Sequence, residues 1–452
     1  MYEDLLKDVC QREQENGCYD CYIDGISLYN YLKRRYRQLA VKEKGINHNG
    51  VNGLKSLFLV IKVTMKSLWQ LAKISVKKPK CNNFIHAFSR MDSIKGEYVD
   101  KFTDPLIDYS SIGDSYIIFQ RGWKHPQPRI HNSKVIYSDG IYVMAMFWAI
   151  IYGPVFKLKH KKELARLFET LLKVFPDVSL SRKVVIRTIL YSLTITRIYG
   201  RLFRILKVKN ALAPSRADFL FIIPAAKKNH VQMLELQHGI TYDETITYSG
   251  FRDPMFTPDR FLSFGNMPRN DVYGIDEKNI VNIGWAFNEY IKSIQTESFV
   301  NSVLVVSEPS HNEQLFESMY KLSKENPGIS FYFRPHPLER ISATQQSIID
   351  TTSNIKVDDN SCNIWVSLLK YKHVMGVDST VLYEALSMGK IVGKVFMNGL
   401  QPKFLQEADK KYFDIINGVD SFNIFVKKTT PEATMRIHSP FNKDVLEKSL
   451  IK

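Results

Sequence analysis

The stretch LELQHGITYDE, residues 234–244, starts as an apolar strand and then stops on Gln237, His238 and Gly239. A strand packed in a core ends where the chain must turn, and in α/β proteins that turn usually faces a ligand crevice. An amide, an imidazole and a glycine at this point therefore predict a polar loop beside a binding site.

Short apolar runs bounded by turn residues continue on both sides of this stretch. Strands are predicted at 218–224, 231–237, 260–265 and 279–284, and then at 302–308, 329–337, 354–357, 373–379 and 391–396. Helices are predicted at 225–230, 314–327, 363–371 and 380–390, and a polar linker at 288–299. This alternation is typical of βαβ units and a parallel sheet.

A chain of 452 residues exceeds what one core normally supports, so two domains are expected. We predict an α/β fold with two Rossmann-like domains facing a central cleft. The first domain would span 1–287, the second 300–425, and the tail 426–452 would end in a helix at 439–452. Ligands of such a fold bind where the carboxyl ends of the strands meet the cleft.

The composition is globular and basic, with 44% hydrophobic and 24% charged residues. Lys and Arg total 62 against 46 Asp and Glu, which gives a formal net charge of +16 and favours polyanionic partners. Anionic lipid and nucleotide-sugar phosphates fit this charge. No nucleic-acid-binding motif is found, so nucleic acid is not an expected partner.

The first 17 residues contain no apolar segment of the kind found in secretory signals, so a cytoplasmic location is expected. Five scattered cysteines suit reduced thiols better than a disulfide framework. Cys18 and Cys21 form a CxxC motif without a second pair or a nearby histidine, which leaves a metal site as the alternative to incidental thiols.

Three segments bear on membrane contact. The run at 143–156 is shorter than the ~20 residues of a membrane span, so a buried helix is expected there. The segments 54–78 and 181–210 mix apolar and basic residues. Each is either a helix lying on the anionic inner face of a membrane, or an ordinary amphipathic helix whose basic face is solvated.

Two further strand ends carry polar residues that a core does not need. The candidate donor-binding residues at these ends are Arg334, His336, Pro337, Asp378, Ser379, Thr380 and Glu384. A cationic imidazole, an Arg and a helix N-terminus would neutralise a departing phosphate without a metal. A carboxylate one turn into the helix, Glu384, would accept ribose hydroxyls or would simply be solvated. Arg334 has the alternative of pairing with a carboxylate.

The ordered set LELQHG, RPHP and DST…EALSMGK resembles bacterial glycosyltransferases of the two-Rossmann-domain (GT-B) architecture that build capsule, O-antigen and lipooligosaccharide. More narrowly, it resembles enzymes that use CMP-activated sialic acid or Kdo. The resemblance implies that the HP dipeptide and the Ser/Thr pair hold the nucleotide, with Gln237 and Gly239 beside them. The CDP-polyol phosphotransferases of teichoic-acid synthesis show a similar order of motifs.

In the family, an acidic-Gly motif of the first domain supplies the catalytic base. Asp139 in KVIYSDGIY is the matching residue, although Ser138 stands where the family has a second acid. His238 is the second catalytic candidate, and Asp104, Asp243 and Glu244 are alternative bases. No DxD motif lies between strands, so neither an obligatory divalent ion nor another cofactor is expected.

These features predict the transfer of a sugar, best matched by an ulosonic acid, from a CMP-activated donor to a surface polysaccharide or a lipid-linked glycan. The partners would be a nucleotide-sugar donor, a glycan or glycolipid acceptor and the inner membrane surface. A CDP-polyol phosphotransferase, a two-domain sugar epimerase and a non-catalytic assembly scaffold are the alternatives.

Overall fold

A computed structural model describes residues 2–41, 54–88, 91–94, 96–123, 129–217, 219–239, 245–265, 271–404, 407–431 and 437–451. The strands are β1 (Tyr22–Ile23), β2 (Ile26–Ser27), β3 (Asn83–His86), β4 (Asp92–Ile94), β5 (Glu97–Val99), β6 (Tyr116–Gln120), β7 (Val135–Tyr137), β8 (Asn210–Pro214), β9 (Gln232–Leu236), β10 (Arg260–Ser263), β11 (Ile280–Asn282), β12 (Ser302–Val306), β13 (Ser330–Arg334), β14 (Ile355–Val357), β15 (His373–Gly376), β16 (Ile391–Val395) and β17 (Asp414–Ile416). The helices are α1 (Tyr2–Glu15), α2 (Lys33–Ala40), α3 (Leu54–Lys77), α4 (Asp104–Tyr109), α5 (Asp139–Ile151), α6 (Gly153–Lys159), α7 (Lys161–Val174), α8 (Arg182–Leu206), α9 (Ile222–Lys228), α10 (Phe287–Lys292), α11 (Asn312–Glu325), α12 (Ala343–Thr351), α13 (Ile364–Lys370), α14 (Thr380–Ser387), α15 (Val419–Lys427) and α16 (Lys443–Glu447).

The first large sheet has seven parallel strands in the order β11-β10-β9-β8-β3-β6-β7. Counted along the chain from β3, this is the doubly wound order, and its direction reverses between β3 and β8. Such a reversal leaves an open crevice at the carboxyl ends of the two central strands.

The second sheet repeats the plan with six parallel strands in the order β14-β13-β12-β15-β16-β17. Its direction reverses between β12 and β15. All five residues of β12 are buried, as expected of a central parallel strand covered by helices on both faces. The prediction of two Rossmann-like domains is therefore confirmed.

Most predicted strands and helices of residues 231–396 are found within a few residues of their expected bounds. The strand predicted at 218–224 is wrong, because Ile222–Pro224 opens α9 and the strand is β8, eight residues earlier in the chain. An unbroken apolar run fits a buried helix as well as a buried strand, and a proline is tolerated in the first helical turn. The predicted linker begins inside α10.

One of the apolar segments differs from expectation. The run at 143–156 forms α5 and α6, and α5 turns only Gly140, Ile141, Ala145 and Ala149 inward beside Asp139, so the prediction of a buried helix is wrong. In contrast α8 buries twelve residues and exposes its arginines, which fits both alternatives given for the segment 181–210.

No single helix in the described part of the chain is long and apolar enough to cross a membrane. The pair α5 and α6 passes by length and composition together, but the two helices are bent by 63° relative to each other.

The C-terminal segment returns from the second domain and fastens onto the first. Leu446 of α16 joins a core cluster with residues of β3, β6 and β9. On the way, the backbone N–H of Trp285 donates to the carbonyl of Ser439 at 3.0 Å. The passage is so close that a Cβ at Gly265 would lie 1.5 Å from the Ile437 carbonyl oxygen.

An aromatic cluster packs where the two domains and this returning segment meet. Ring centroids are 3.7 Å apart for Trp285 and His438, 4.6 Å for Trp285 and Trp365, and 4.6 Å for Phe264 and His438. Phe264 follows β10 of the first sheet and Trp365 belongs to α13 of the second domain. The cluster therefore holds the two domains together.

We predict that Gly265→Ala destabilises the protein by more than about 2 kcal/mol, because its Cβ would collide with backbone that cannot move as a side chain does. The measurement is the midpoint of thermal or urea unfolding. Gly328→Ala is the matched control, since its Cβ meets nothing within 4 Å. Equal midpoints for the two variants would show that the returning segment is not held at Gly265.

Candidate active site

The crevice of the second sheet lies at the carboxyl ends of β12 and β15, and hydrogen bonds connect the two loops there. The backbone N–H of Asp378 donates to Glu308 Oε1 at 2.7 Å, and His311 Nδ1 lies 3.0 Å from the same oxygen. Gly376 keeps β15 close to β12, because a Cβ there would lie 2.8 Å from the Val306 carbonyl. Loops on both sides of the direction reversal are therefore fixed relative to each other.

Helix α14 begins at this crevice. Ser379 is its N-cap, with Oγ accepting from the backbone N–H of Val381 at 3.4 Å, and Thr380 is exposed at the first helical position. The amides of a first helical turn attract anions, so capping and anion binding are compatible here. The predicted pair Ser379 and Thr380 lies at the N-terminus of α14, beside the crevice of the second sheet.

His336 lies in the loop after β13, next to β12. Its backbone N–H donates to Glu339 Oε2 at 2.9 Å, and the Leu338 N–H donates to its Nδ1 at 3.2 Å. These contacts hold the half-buried His336 ring in its loop, and Pro337 beside it is exposed.

Arg334 is not available to a ligand. Its buried guanidinium donates to Asp358 Oδ1, Ser367 Oγ and the Cys362 carbonyl, each at 2.8 Å. The structure shows the alternative, in which Arg334 pairs with a carboxylate. The prediction that Arg334 contacts the nucleotide-sugar donor is therefore corrected. Arg334 joins the end of β13 to the loops before α13, which supports the His336 loop.

The Asp378 carboxylate also has partners inside the domain. Its Oδ1 accepts from the Lys403 backbone N–H at 2.7 Å and lies 3.4 Å from Lys394 Nζ. Among the described residues, Glu308, His311 and Asp378 are the cluster whose ligand atoms come within 4.8 Å of one another. Because the Lys394 ammonium already lies against Asp378, this donor set does not fit a divalent cation.

The CxxC motif also does not suit a metal ion. Cys18 and Cys21 are both buried, and burial raises the pKa of each thiol, which opposes the thiolate that a zinc ion requires. No third ligand joins them within the described ranges.

Glu384 of α14 faces the first domain. Burial raises the pKa of this carboxyl to about 7, Lys101 opposes the shift and Asp92 adds to it. Both of these residues belong to the segment between β3 and α4, Asp92 in β4 and Lys101 after β5, and Lys101 Nζ lies 5.9 Å from the Trp365 ring. The segment leaving one crevice therefore reaches the helix that opens the other.

On the first sheet, Gln237 is used by the protein itself. Its amide donates to the Gly239 carbonyl at 3.1 Å and to the Tyr273 hydroxyl at 3.0 Å, and it accepts from the Phe264 N–H at 3.1 Å. The expectation that this amide is offered to a ligand is corrected. A buried strand ends on Gln237 because one amide can fasten the loops after β9 and β10 together.

His238 is half-buried beside the crevice of the first sheet, with its ring centroid 5.9 Å from that of Phe88, which follows β3. Gly239 next to it is also half-buried and leaves open space, since a Cβ there would meet nothing within 4 Å. These two residues are placed where a substrate could approach.

Asp139 lies at a different part of the first sheet from His238. It opens α5 after the edge strand β7, and its Oδ2 accepts from the Gly122 N–H at 2.7 Å. Four strand positions separate β7 from β9, which is about 19 Å at the usual strand spacing. Asp139 and His238 therefore cannot contact the same reacting atoms, and the pairing of these two residues in catalysis is corrected.

The alternative bases are also accounted for. Asp104 is fully buried and paired with Arg129, so it has no access to substrate. Asp243 and Glu244 lie outside the described residues.

The sequence reading missed His86, the last residue of β3. The ring is buried, which lowers the pKa of its imidazole to about 3, and Nε2 has no partner among the described residues. Its Nδ1 lies 3.2 Å from the Ala87 carbonyl, so it is a neutral histidine with an unused acceptor. The signal was present in NFIHAF, where an apolar strand stops on a histidine as it does in LELQHG.

A basic pocket of the first domain was missed as well. It is lined by Lys33, Arg34, Arg216 and Arg252 beside Asp253 and aromatic residues, and its cavity volume is about 40 Å³. Burial, reinforced by the neighbouring Arg37, lowers the pKa of Lys33 to about 7. Cations drawn from separate segments leave no local sequence signal.

No protein-family model and no curated protein matches the sequence. Among solved structures, a UDP-GlcNAc 2-epimerase from Methanocaldococcus jannaschii is 8% identical with a TM-score of 0.47, over 82% of this chain and 98% of that chain. A glycosyltransferase from Rickettsia africae ESF-5 is 13% identical with a TM-score of 0.44, over 82% and 96%. A UDP-GlcNAc 2-epimerase from Neisseria meningitidis bound to UDP-GlcNAc is 12% identical with a TM-score of 0.38, over 67% and 96%. Identities this low leave the activity to be inferred from the residues of the site.

We predict that Glu384 makes stability depend on pH between about 4.5 and 7. A raised pKa means that the native state holds a proton that the unfolded chain has released in this window, so stability falls as pH rises through it. Glu384→Gln should remove this dependence. Its free energy of unfolding should exceed that of the wild type by an amount that grows from about 1 kcal/mol at pH 5 to about 3 kcal/mol at pH 8.

The measurement is urea unfolding at several pH values, with Glu317→Gln on the exposed side of α11 as the matched control. A difference between Glu384→Gln and wild type that stays constant from pH 5 to pH 8 would contradict the assignment.

Proposed function

We propose that this protein transfers a sugar from a nucleotide-activated donor to a glycan acceptor. The second domain holds the nucleotide and the first domain receives the acceptor. One observation carries the proposal: the segment that follows β3, at the crevice of the first sheet, packs against the helix that begins at the crevice of the second. Its Ile94 and Val99 share a core cluster with Leu382 and Tyr383 of α14. Two doubly wound sheets arranged this way form one cleft between two ligand-binding edges.

The donor phosphate is assigned to the space between His336 and the start of α14. These two features flank β12, so they lie about 10 Å apart at the usual strand spacing, which suits a nucleotide phosphate group bound from both sides. The His336 ring and the first amides of α14 are fixed hydrogen-bonding groups, and Lys101 supplies a cation in the same cleft. Fixed donors stabilise a leaving phosphate without reorganisation during the reaction.

On the acceptor side, we assign His238 to the reacting hydroxyl. Its half-buried ring lies at the crevice of the first sheet, with its centroid 5.9 Å from that of Phe88. His86 is buried behind this place at the end of β3 and has no access to substrate. An ulosonic acid carried by CMP remains the donor that the motifs favour.

A sugar epimerase is the second candidate, and Glu384 is the observation that favours it. Epimerisation requires an acid or base that exchanges protons near neutral pH, and burial brings the pKa of this carboxyl to about 7 at the interface of the two domains. An epimerase would convert a nucleotide sugar without any acceptor.

The first experiment is a thermal-shift panel of CMP, CDP, UDP and GDP, because a ligand that binds the native state raises the melting temperature as ln(1 + [L]/Kd). The nucleotide that stabilises most then defines the donors for a mass-spectrometric product assay, run with and without acceptor. A glycoside supports transfer, a phosphodiester would indicate a phosphotransferase, and conversion without acceptor would indicate an epimerase. Absence of binding to all four nucleotides would favour a scaffold.

We predict that His336→Ala and Ser379→Ala each weaken nucleotide binding about tenfold, since each removes one hydrogen-bonding group from the phosphate site. Isothermal calorimetry with the best nucleotide of the panel measures the change. Leu338→Ala is the matched control, because its exposed side chain belongs to the same loop and its backbone N–H is retained. Unchanged nucleotide affinity in both variants would show that the phosphate does not bind at this site.

A further inference from the structure

Helices α5 and α6 expose an unusual amount of apolar surface. Their exposed residues, each between 37% and 78% accessible, are Val143, Met146, Phe147, Trp148, Ile150, Ile151, Tyr152, Val155 and Leu158. Isolated exposed apolar residues are normal in folded proteins, but nine within sixteen consecutive residues form a continuous patch. Such a patch is costly in water and indicates that something covers it.

Helix α3 extends this patch. It packs directly against α5, where the Gly140 N–H donates to Ser67 Oγ at 2.9 Å, and residues of both helices cover the same face of the first sheet. Its outward side exposes Phe58, Ile61, Met65, Trp69 and Val76. We call the exposed apolar residues of α3, α5 and α6 the apolar face.

The segments that carry the apolar face have charges of one sign. Residues 54–91 and 140–162 contain no Asp or Glu. The exposed lysines of these segments include Lys62, Lys66, Lys73, Lys77, Lys157, Lys159, Lys161 and Lys162. Lys73 also lies over the ring of Trp69, with Nζ 5.0 Å from the ring centroid, a pairing suited to the boundary between apolar and polar surroundings.

We propose that the apolar face docks this protein onto an anionic lipid bilayer. The apolar side chains would enter the boundary between headgroups and acyl chains, while the lysines contact anionic headgroups. At 13 residues α5 is about 20 Å long, short of the ~30 Å hydrocarbon core, so it lies in the interface rather than spanning it. This inference does not rest on the nucleotide site.

A second copy of the chain is the other partner that could cover the apolar face. Two copies related by a twofold axis would place the same lysine-rich rim on both sides of the contact, with no carboxylates in these segments to pair with it. Like charges facing each other across an interface oppose association, whereas an anionic bilayer complements the same rim.

The experiment is cosedimentation of the full chain, without nucleotide, with sonicated vesicles of phosphatidylcholine alone and of phosphatidylcholine with 30% phosphatidylglycerol. Binding should be at least tenfold stronger to the anionic vesicles and should weaken in high salt. Phe147→Asp with Trp148→Asp should lower it at least tenfold, and so should Lys157→Glu with Lys159→Glu. Ile424→Asp is the matched control, because Ile424 is 64% exposed on α15 of the second domain.

Two further measurements test the contact with acyl chains and the assembly state. Brominated acyl chains should quench the fluorescence of the wild-type chain, and Trp69→Phe with Trp148→Phe, which preserves the fold better than aspartate, should remove most of that quenching. Light scattering after size exclusion reports the assembly state. The proposal is overturned if the wild type does not bind anionic vesicles, if Ile424→Asp loses as much binding, or if the apolar face proves to be buried in a dimer that Phe147→Asp disrupts.

Discussion

The packing of Trp285 against His438 is the contact on which the cleft depends. Trp285 follows the last strand of the first sheet, His438 belongs to the segment that returns from the second domain, and Trp365 of that domain packs on both rings. Burial, with a further contribution from Lys101, lowers the pKa of His438 well below its usual value, so the ring stays neutral. An aromatic contact of this kind fixes the angle between the two sheets, and the angle decides which loops face each other.

Once the sheets are fixed, the loops at their edges are held by buried polar side chains. Gln237 ties together two loops of the first sheet, and Arg334 does the same for the second with three hydrogen bonds. Leaving such groups unpaired in a core costs about 1–3 kcal/mol each, so they specify one loop arrangement. The groups that we propose for substrate contact, such as His336 and Ser379, are the half-buried ones beside them.

The fold was predictable from sequence because short apolar runs alternate with helices, and that alternation admits few arrangements other than parallel sheets. The sequence indicated which strand ends form the candidate site. It indicated much less well which role each residue has there. Gln237 and His238 are neighbours in the same turn, yet only tertiary partners decide that the first fastens the loop. The exposure of α5 was equally hidden, because an apolar run carries no mark of which side its neighbours will cover.

Asp139 lies at the start of a helix that carries part of the apolar face. It stands at the first position of α5, where a carboxylate is favourable beside the positive end of the helix dipole, and it is bound to the loop after β6 by the Gly122 N–H. The start of α5 is therefore fixed at the carboxyl ends of β6 and β7, while the rest of the helix presents Phe147 and Trp148 outward. A protein held to a bilayer by α5 would keep this side of the first sheet, two strands from its crevice, next to the lipid surface. That placement suits an acceptor carried on a lipid.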